Sequence, residues 1–92
     1  MKQKSLIIKY AHGLHLRPAG ELVKIASDFT CDVYIENDGN KVNAKSILGL
    51  LTLGATYGSE ITIHCSGADE EPALDKIVNF ISRLPESLQE NK

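Results

Sequence analysis

Between Ser5 and Tyr10 the apolar residues Leu6, Ile8 and Tyr10 fall on alternate positions, which predicts a strand with one face on a core, although Ile7 is out of step. After Gly13 the period changes: Ala19, Leu22, Val23, Ala26 and Phe29 recur at steps of three and four and align along one side of a helix. Pro18 fits only the first turn of that helix, where a missing N–H leaves no carbonyl without its donor. Alternation returns in Cys31, Val33 and Ile35, set against Asp32, Tyr34 and Glu36, and runs into Asn37-Asp38-Gly39-Asn40, residues that accept positive φ in a hairpin turn. A short partner strand through Val42 and Ala44 follows. Ser46 then precedes the run Ile47 to Leu53, where a small hydroxyl can cap a helix by accepting a free backbone N–H, and Gly54 ends the run. Ile61, Ile63 and Cys65 predict a further strand. Leu74, Ile77, Val78, Ile81 and Leu84 predict a last helix, with Asp69, Glu70 and Glu71 at its positive end.

The predicted order is βαββαβα. Strands with one polar face and helices with one apolar stripe are satisfied together by two layers, the helices covering one face of a largely antiparallel sheet. At 92 residues the chain has room for one core, placed over about 5–84, with a polar tail over 86–92 that is expected to fray. Ten basic residues against twelve acidic leave no overall field to draw the protein onto nucleic acid or anionic lipid, so a partner must read a local patch. No run approaches the roughly twenty apolar residues of a membrane helix, and no secretion signal is apparent at the amino end, so a cytoplasmic protein is expected. Cys31 and Cys65 form no CxxC pair and lie in alternating stretches, as buried free thiols do.

Of three histidines, His15 has the neighbours that propose a chemistry: Gly13-Leu14-His15-Leu16-Arg17-Pro18-Ala19. The segment lies where the first helix begins. Helix beginnings expose unpaired N–H groups and a partial positive charge, so a phosphate there is stabilised by the backbone itself. Arg17 adds a planar cation suited to paired hydrogen bonds with phosphate oxygens. The same positive surroundings favour a neutral imidazole, able to attack phosphorus near neutral pH. His-x-Arg-Pro by itself is also the pattern of a histidine at a helix start beside a solvated arginine, and the spacing does not separate the two.

The wider context does separate them. Gly-Leu-His-Leu-Arg-Pro-Ala, the hairpin at Asp38-Gly39, the block Asn43-Ala44-Lys45-Ser46-Ile47-Leu48-Gly49-Leu50 and the stretch Ser66-Gly67-Ala68-Asp69-Glu70-Glu71 together resemble the HPr family of bacterial sugar phosphotransferase systems, in register from about Ser5 to Leu84. The resemblance implies an open-faced α+β sandwich with sheet order 1-4-2-3. It also implies that His15 accepts a phosphoryl group on Nδ1 from phosphorylated enzyme I and passes it to enzyme IIA domains. Arg17, with Leu16 beside it, would hold the phosphate. Such a protein is a carrier and not an enzyme, needs no cofactor or metal, and is expected to be a monomer that docks successive partners over one surface.

Five of the seven residues from Ile47 to Leu53 are apolar and point all round a helix axis, whereas a small sheet covers one side. Leu50 and Leu53 are assigned to the core, and Ile47, Leu48 and Leu51 to the surface near His15, where exposed apolar clusters serve docking. Leu16, Gly20 and Lys24 are candidates for the same docking face, and Lys45 for meeting an acidic partner. Ser46 is explained by capping alone, but it also resembles the serine modified by HPr kinase/phosphorylase, where new negative charge would weaken docking of enzyme I.

Leu16 and Gly20 depart from the residues common in the family, and so does His12, so partner preference is expected to differ. His12 and His15 have the spacing of a metal pair but no third ligand nearby, and no metal site is assigned. His64 is expected on the solvent side of its strand in a structural role. Two rivals stay open. One is a carrier of the nitrogen-related branch of the phosphotransferase system. The other is a regulatory binding module phosphorylated at Ser46, whose relatives lack the active histidine that this chain carries as His15.

Overall fold

The structure, a computed structural model, describes residues 1–10, 13 and 16–84. In chain order its elements are β1 (Lys2–Ile7), α1 (Leu16–Ser27), β2 (Asp32–Asn37), β3 (Asn40–Asn43), α2 (Ile47–Leu53), β4 (Glu60–Ser66) and α3 (Glu70–Ser82). The predicted βαββαβα order holds, and the strands form one antiparallel sheet ordered β1-β4-β2-β3. β2 and β4 occupy its middle. Their register sets Val33 opposite Cys65 and Ile35 opposite Ile63, so the alternating apolar rows read from the sequence become one continuous inner face.

The helices close that face. Ala19, Leu22 and Ala26 of α1, Leu50 and Leu53 of α2, and Ala73, Leu74, Ile77, Phe80 and Ile81 of α3 are buried against it. The outer face is polar and paired across strands: the Ser5 and Thr62 hydroxyls lie 2.8 Å apart, and the Lys41 ammonium sits 5.7 Å from the centre of the Tyr34 ring. His64 belongs to this outer row as expected, yet it is largely covered, with Nε2 3.0 Å from Glu36 Oε1. Both cysteines are buried free thiols, as their alternation predicted. Burial, and then the neighbouring Cys31, push the Cys65 thiol up to about 11, out of the reactive range.

Two elements differ from the sequence reading. β1 begins at Lys2, three residues before the predicted start, and ends at Ile7. Leu6, Ile8 and Tyr10 do turn toward the core and Ile7 away from it, but Ile8 lies past the strand end, held by backbone bonds to Gly58 and Ser59. Lys2 and Lys4 share the inner row with Leu6, opposite Cys65 and Ile63. β1 is an edge strand, where inward lysines keep the free edge from pairing with another chain, and Lys4 lies alongside Leu74 and Val78 of α3. Ala44 falls just beyond β3, although its N–H still donates to the Val33 carbonyl at 2.9 Å.

Asp69 does more than carry charge at the start of α3. It stands at the N-cap position without capping the helix, and its carboxylate instead accepts the backbone N–H groups of Thr30 at 2.8 Å and Cys31 at 2.9 Å, tying α3 to the start of β2. Those bonds, the one from Thr30 foremost, hold its carboxyl below the usual aspartate range. A carboxylate with a depressed folded value contributes stability that is complete above the ordinary aspartate pKa of about 4 and lost as the pH falls through the folded value. Asp69→Asn is therefore expected to flatten the loss of stability as the pH falls below about 4. Urea unfolding across that range checks it, and equal slopes for the two proteins would remove the assignment.

Candidate functional site

α1 opens at Leu16, the residue after His15, and has no acidic side chain in its first turn. The partial positive charge at this helix end is thus not offset by a carboxylate of the same turn. His15 and His12 lie outside the described residues, as does the 86–92 tail. What the structure describes is the frame around them. Gly13 is buried on the turn between Tyr10 and the helix, and Leu16 and Arg17 are exposed at the helix start. Pro18 is buried in the first turn, the place where its ring costs no hydrogen bond.

Leu16, Gly20 and Lys24 follow one another at steps of four along α1, so they share one face of the helix. Leu16 is 63% exposed. A methyl placed on Gly20 would stand 3.8 Å from Ile47 Cδ1, which makes Gly20 the point where α1 meets α2. Beyond it, Leu48 is 72% exposed, and Ile47 and Leu51 are each 38% exposed. The division read from the sequence, Leu50 and Leu53 inward and the other three outward, is the one observed. Leu16, Ile47, Leu48 and Leu51 thereby leave apolar area on both helices about their junction.

Ser46 borders this area as the N-cap of α2, in extended backbone, its Oγ accepting the Gly49 N–H at 3.1 Å. Gly54 closes the helix in the left-handed conformation, φ 73°. Lys45 is turned away from partners: its ammonium donates to the Phe29 carbonyl at 2.8 Å, and its N–H donates to Asn43 Oδ1 at 2.8 Å. It fastens the start of α2 to the loop after α1, so its candidacy for meeting an acidic partner gives way to a structural role. Lys24 does reach solvent, with Glu21 Oε2 3.9 Å away. Among the described residues, no group of three or more His, Cys, Asp and Glu side chains converges as a metal site would.

The bracing of the site is what the sequence reading missed. A four-residue turn, Thr56 to Ser59, hangs from the end of α2 and presses on Gly13. Gly13, Gly54 and Gly58 all have positive φ and were the only local signals of it.

Three helices on one face of an antiparallel sheet ordered β1-β4-β2-β3, with apolar side chains exposed on α1 and α2, define a small open-faced α+β sandwich. A family model described as the PTS HPr component phosphorylation site matches residues 2–83, and the chain belongs to the HPr family, whose members are phosphocarriers and not catalysts in themselves. The HPr-like protein Crh of Bacillus subtilis is 43% identical over 81 residues, 88% of this chain and 95% of its own. Among solved structures, HPr-C-His from Thermoanaerobacter tengcongensis superposes with TM-score 0.88 at 38% identity over all of both chains. The crystal structure of Bacillus subtilis Crh, described as a catabolite repression protein forming a swapped dimer, superposes with TM-score 0.73 at 43% identity, covering 89% of this chain and 94% of that one.

Proposed function

We propose that this protein is a single-domain phosphocarrier over residues 1–92 that accepts a phosphoryl group on His15 from phosphorylated enzyme I and delivers it to enzyme IIA domains. The observation that carries the reading is a helix that opens directly after His15, with Arg17 exposed and no acidic side chain in its first turn, in a chain of the HPr family. The imidazole Nδ1 attacks phosphorus as the bond between phosphorus and enzyme I breaks, and the new P–N bond on His15 keeps the group transferable. Arg17 and the first-turn N–H groups of α1 offset the phosphoryl charge. Leu16, Gly20, Lys24, Ile47, Leu48 and Leu51 form the docking face, and Ser46 is the regulatory phosphorylation site for an HPr kinase/phosphorylase.

The likeness to Crh favours one alternative, a regulatory module that acts through Ser46 without carrying phosphate on histidine. The triplet His15, Arg17 and Pro18 supports the carrier instead. Incubation in the cytoplasmic range of pH with phosphoenolpyruvate and enzyme I, followed by phosphorus NMR and intact mass, separates the two. One acid-labile phosphate on the wild type and none on His15→Ala is the expected result. No label on the wild type, with enzyme I active, would replace the carrier by the Ser46 module. A monomer suits a carrier that meets its partners in turn; the Crh dimer is the competing state, and light scattering of the same sample decides between them.

A further inference from the structure

Gly13, two residues before His15 in the chain, packs against the loop that follows α2. Gly13 has φ +65° and donates its N–H to the Tyr10 carbonyl at 2.9 Å. A Cβ at position 13 would stand 2.5 Å from the Ala55 carbonyl oxygen and 2.8 Å from Thr56 Cα, closer than real side chains approach. Both obstacles are backbone, so no side chain can swing aside to make room.

That backbone is itself pinned. Thr56 N–H donates to Ser59 Oγ at 3.0 Å, and Ser59 N–H donates to the Thr56 carbonyl at 2.9 Å. The far side of the loop is stitched to the end of β1, where Gly58 N–H donates to the Ile8 carbonyl at 2.8 Å and Ile8 N–H to the Ser59 carbonyl at 2.9 Å. Ala55 is buried and follows the Gly54 cap of α2. This hydrogen-bonded stretch of backbone therefore bounds the space at Gly13, two residues before His15 and at most about 7 Å of chain away from it.

We infer that Gly13 and the Ala55–Ser59 loop are positioning elements for His15: the close backbone contact sets where the imidazole meets the incoming phosphoryl group, and position 13 must lack a side chain for that contact to form. The inference rests on the carrier reading above. In-line transfer between two proteins depends on placement within about an ångström, so displacement of this segment should slow the chemical step more than it weakens docking.

The test compares Gly13→Ala with Gly39→Ala, which bears a comparable positive φ of 83° in the β2–β3 turn with nothing within 4 Å of its added methyl. Ser59→Ala loosens the loop without adding bulk. Kinetics of phosphoryl acceptance from enzyme I and the ring NMR signals of His15 and His64 are read for each. For Gly13→Ala, kcat is expected to fall by about tenfold or more with KM within about twofold, and the His15 ring signals to move while those of His64 stay. Gly39→Ala should match the wild type in both, and Ser59→Ala should lower kcat by about threefold. A folded Gly13→Ala with wild-type kcat and unmoved His15 signals overturns the inference. If Gly13→Ala does not fold, the same null result for Ser59→Ala overturns it. A wild type that takes no phosphate at all sinks the carrier reading, and the His15 signals of the variants then decide the positioning alone.

Discussion

Ser46→Asp is expected to slow phosphoryl acceptance from enzyme I by about a hundredfold while leaving the melting temperature equal to the wild type or slightly above it. Stability is spared because aspartate caps a helix as well as serine does, and α2 has no acidic residue in its first turn to repel it. A negative charge at this end gains about 0.3–1 kcal/mol from the helix dipole. Docking is not spared. Ser46 is exposed at the border of Ile47, Leu48 and Leu51, and a partner burying those side chains must strip water from the new carboxylate or leave it facing its own charges. A hundredfold change corresponds to about 2.7 kcal/mol, well within the cost of an unpaired charge at a closing interface. Single-turnover transfer from phosphorylated enzyme I, with thermal unfolding of the same preparations, is the measurement. A folded variant that accepts phosphate at the wild-type rate would remove Ser46 from the regulation of this surface.

Leu50→Ala should cost about 3 kcal/mol and lower the melting temperature by roughly 12–20 °C. Leu50 has no solvent exposure, and with Leu53 it is one of two side chains that seat α2 in the core. α2 spans seven residues, too few to be helical without tertiary support, so its surface depends on the burial of these two leucines, with the Lys45–Phe29 bond fastening its start. Removing one leaves a cavity that the rigid inner face of β2 and β3 fills poorly. Leu48→Ala supplies the contrast. Leu48 is 72% exposed, so its loss should change stability by no more than about 0.5 kcal/mol while weakening transfer if the surface docks partners. Denaturant unfolding of both variants checks the pair, and a Leu50→Ala protein melting within a few degrees of wild type would mean that α2 is anchored elsewhere.

The sequence by itself determined much of this: the element order, the inward and outward sides of α2, the inner rows of β2 and β4, the Asp38-Gly39 hairpin, the capping role of Ser46 and the chemical candidacy of His15. Each depends on residues within a few positions of one another, where the helical and strand periods alone say which side chains share a face. The start of β1 was not legible, because an edge strand whose inner row begins Lys2 and Lys4 shows no alternation over those residues. Nor were the contacts that frame the candidate site. The ammonium of Lys45 meets the Phe29 carbonyl, Asp69 binds Thr30 and Cys31, and Gly13 abuts Ala55 and Thr56. These partners lie 16 to 43 residues apart in the chain, and their meeting follows from how the helices settle on the sheet. Local patterning selects which face of an element is buried; only the packed fold decides which backbone groups that burial brings together.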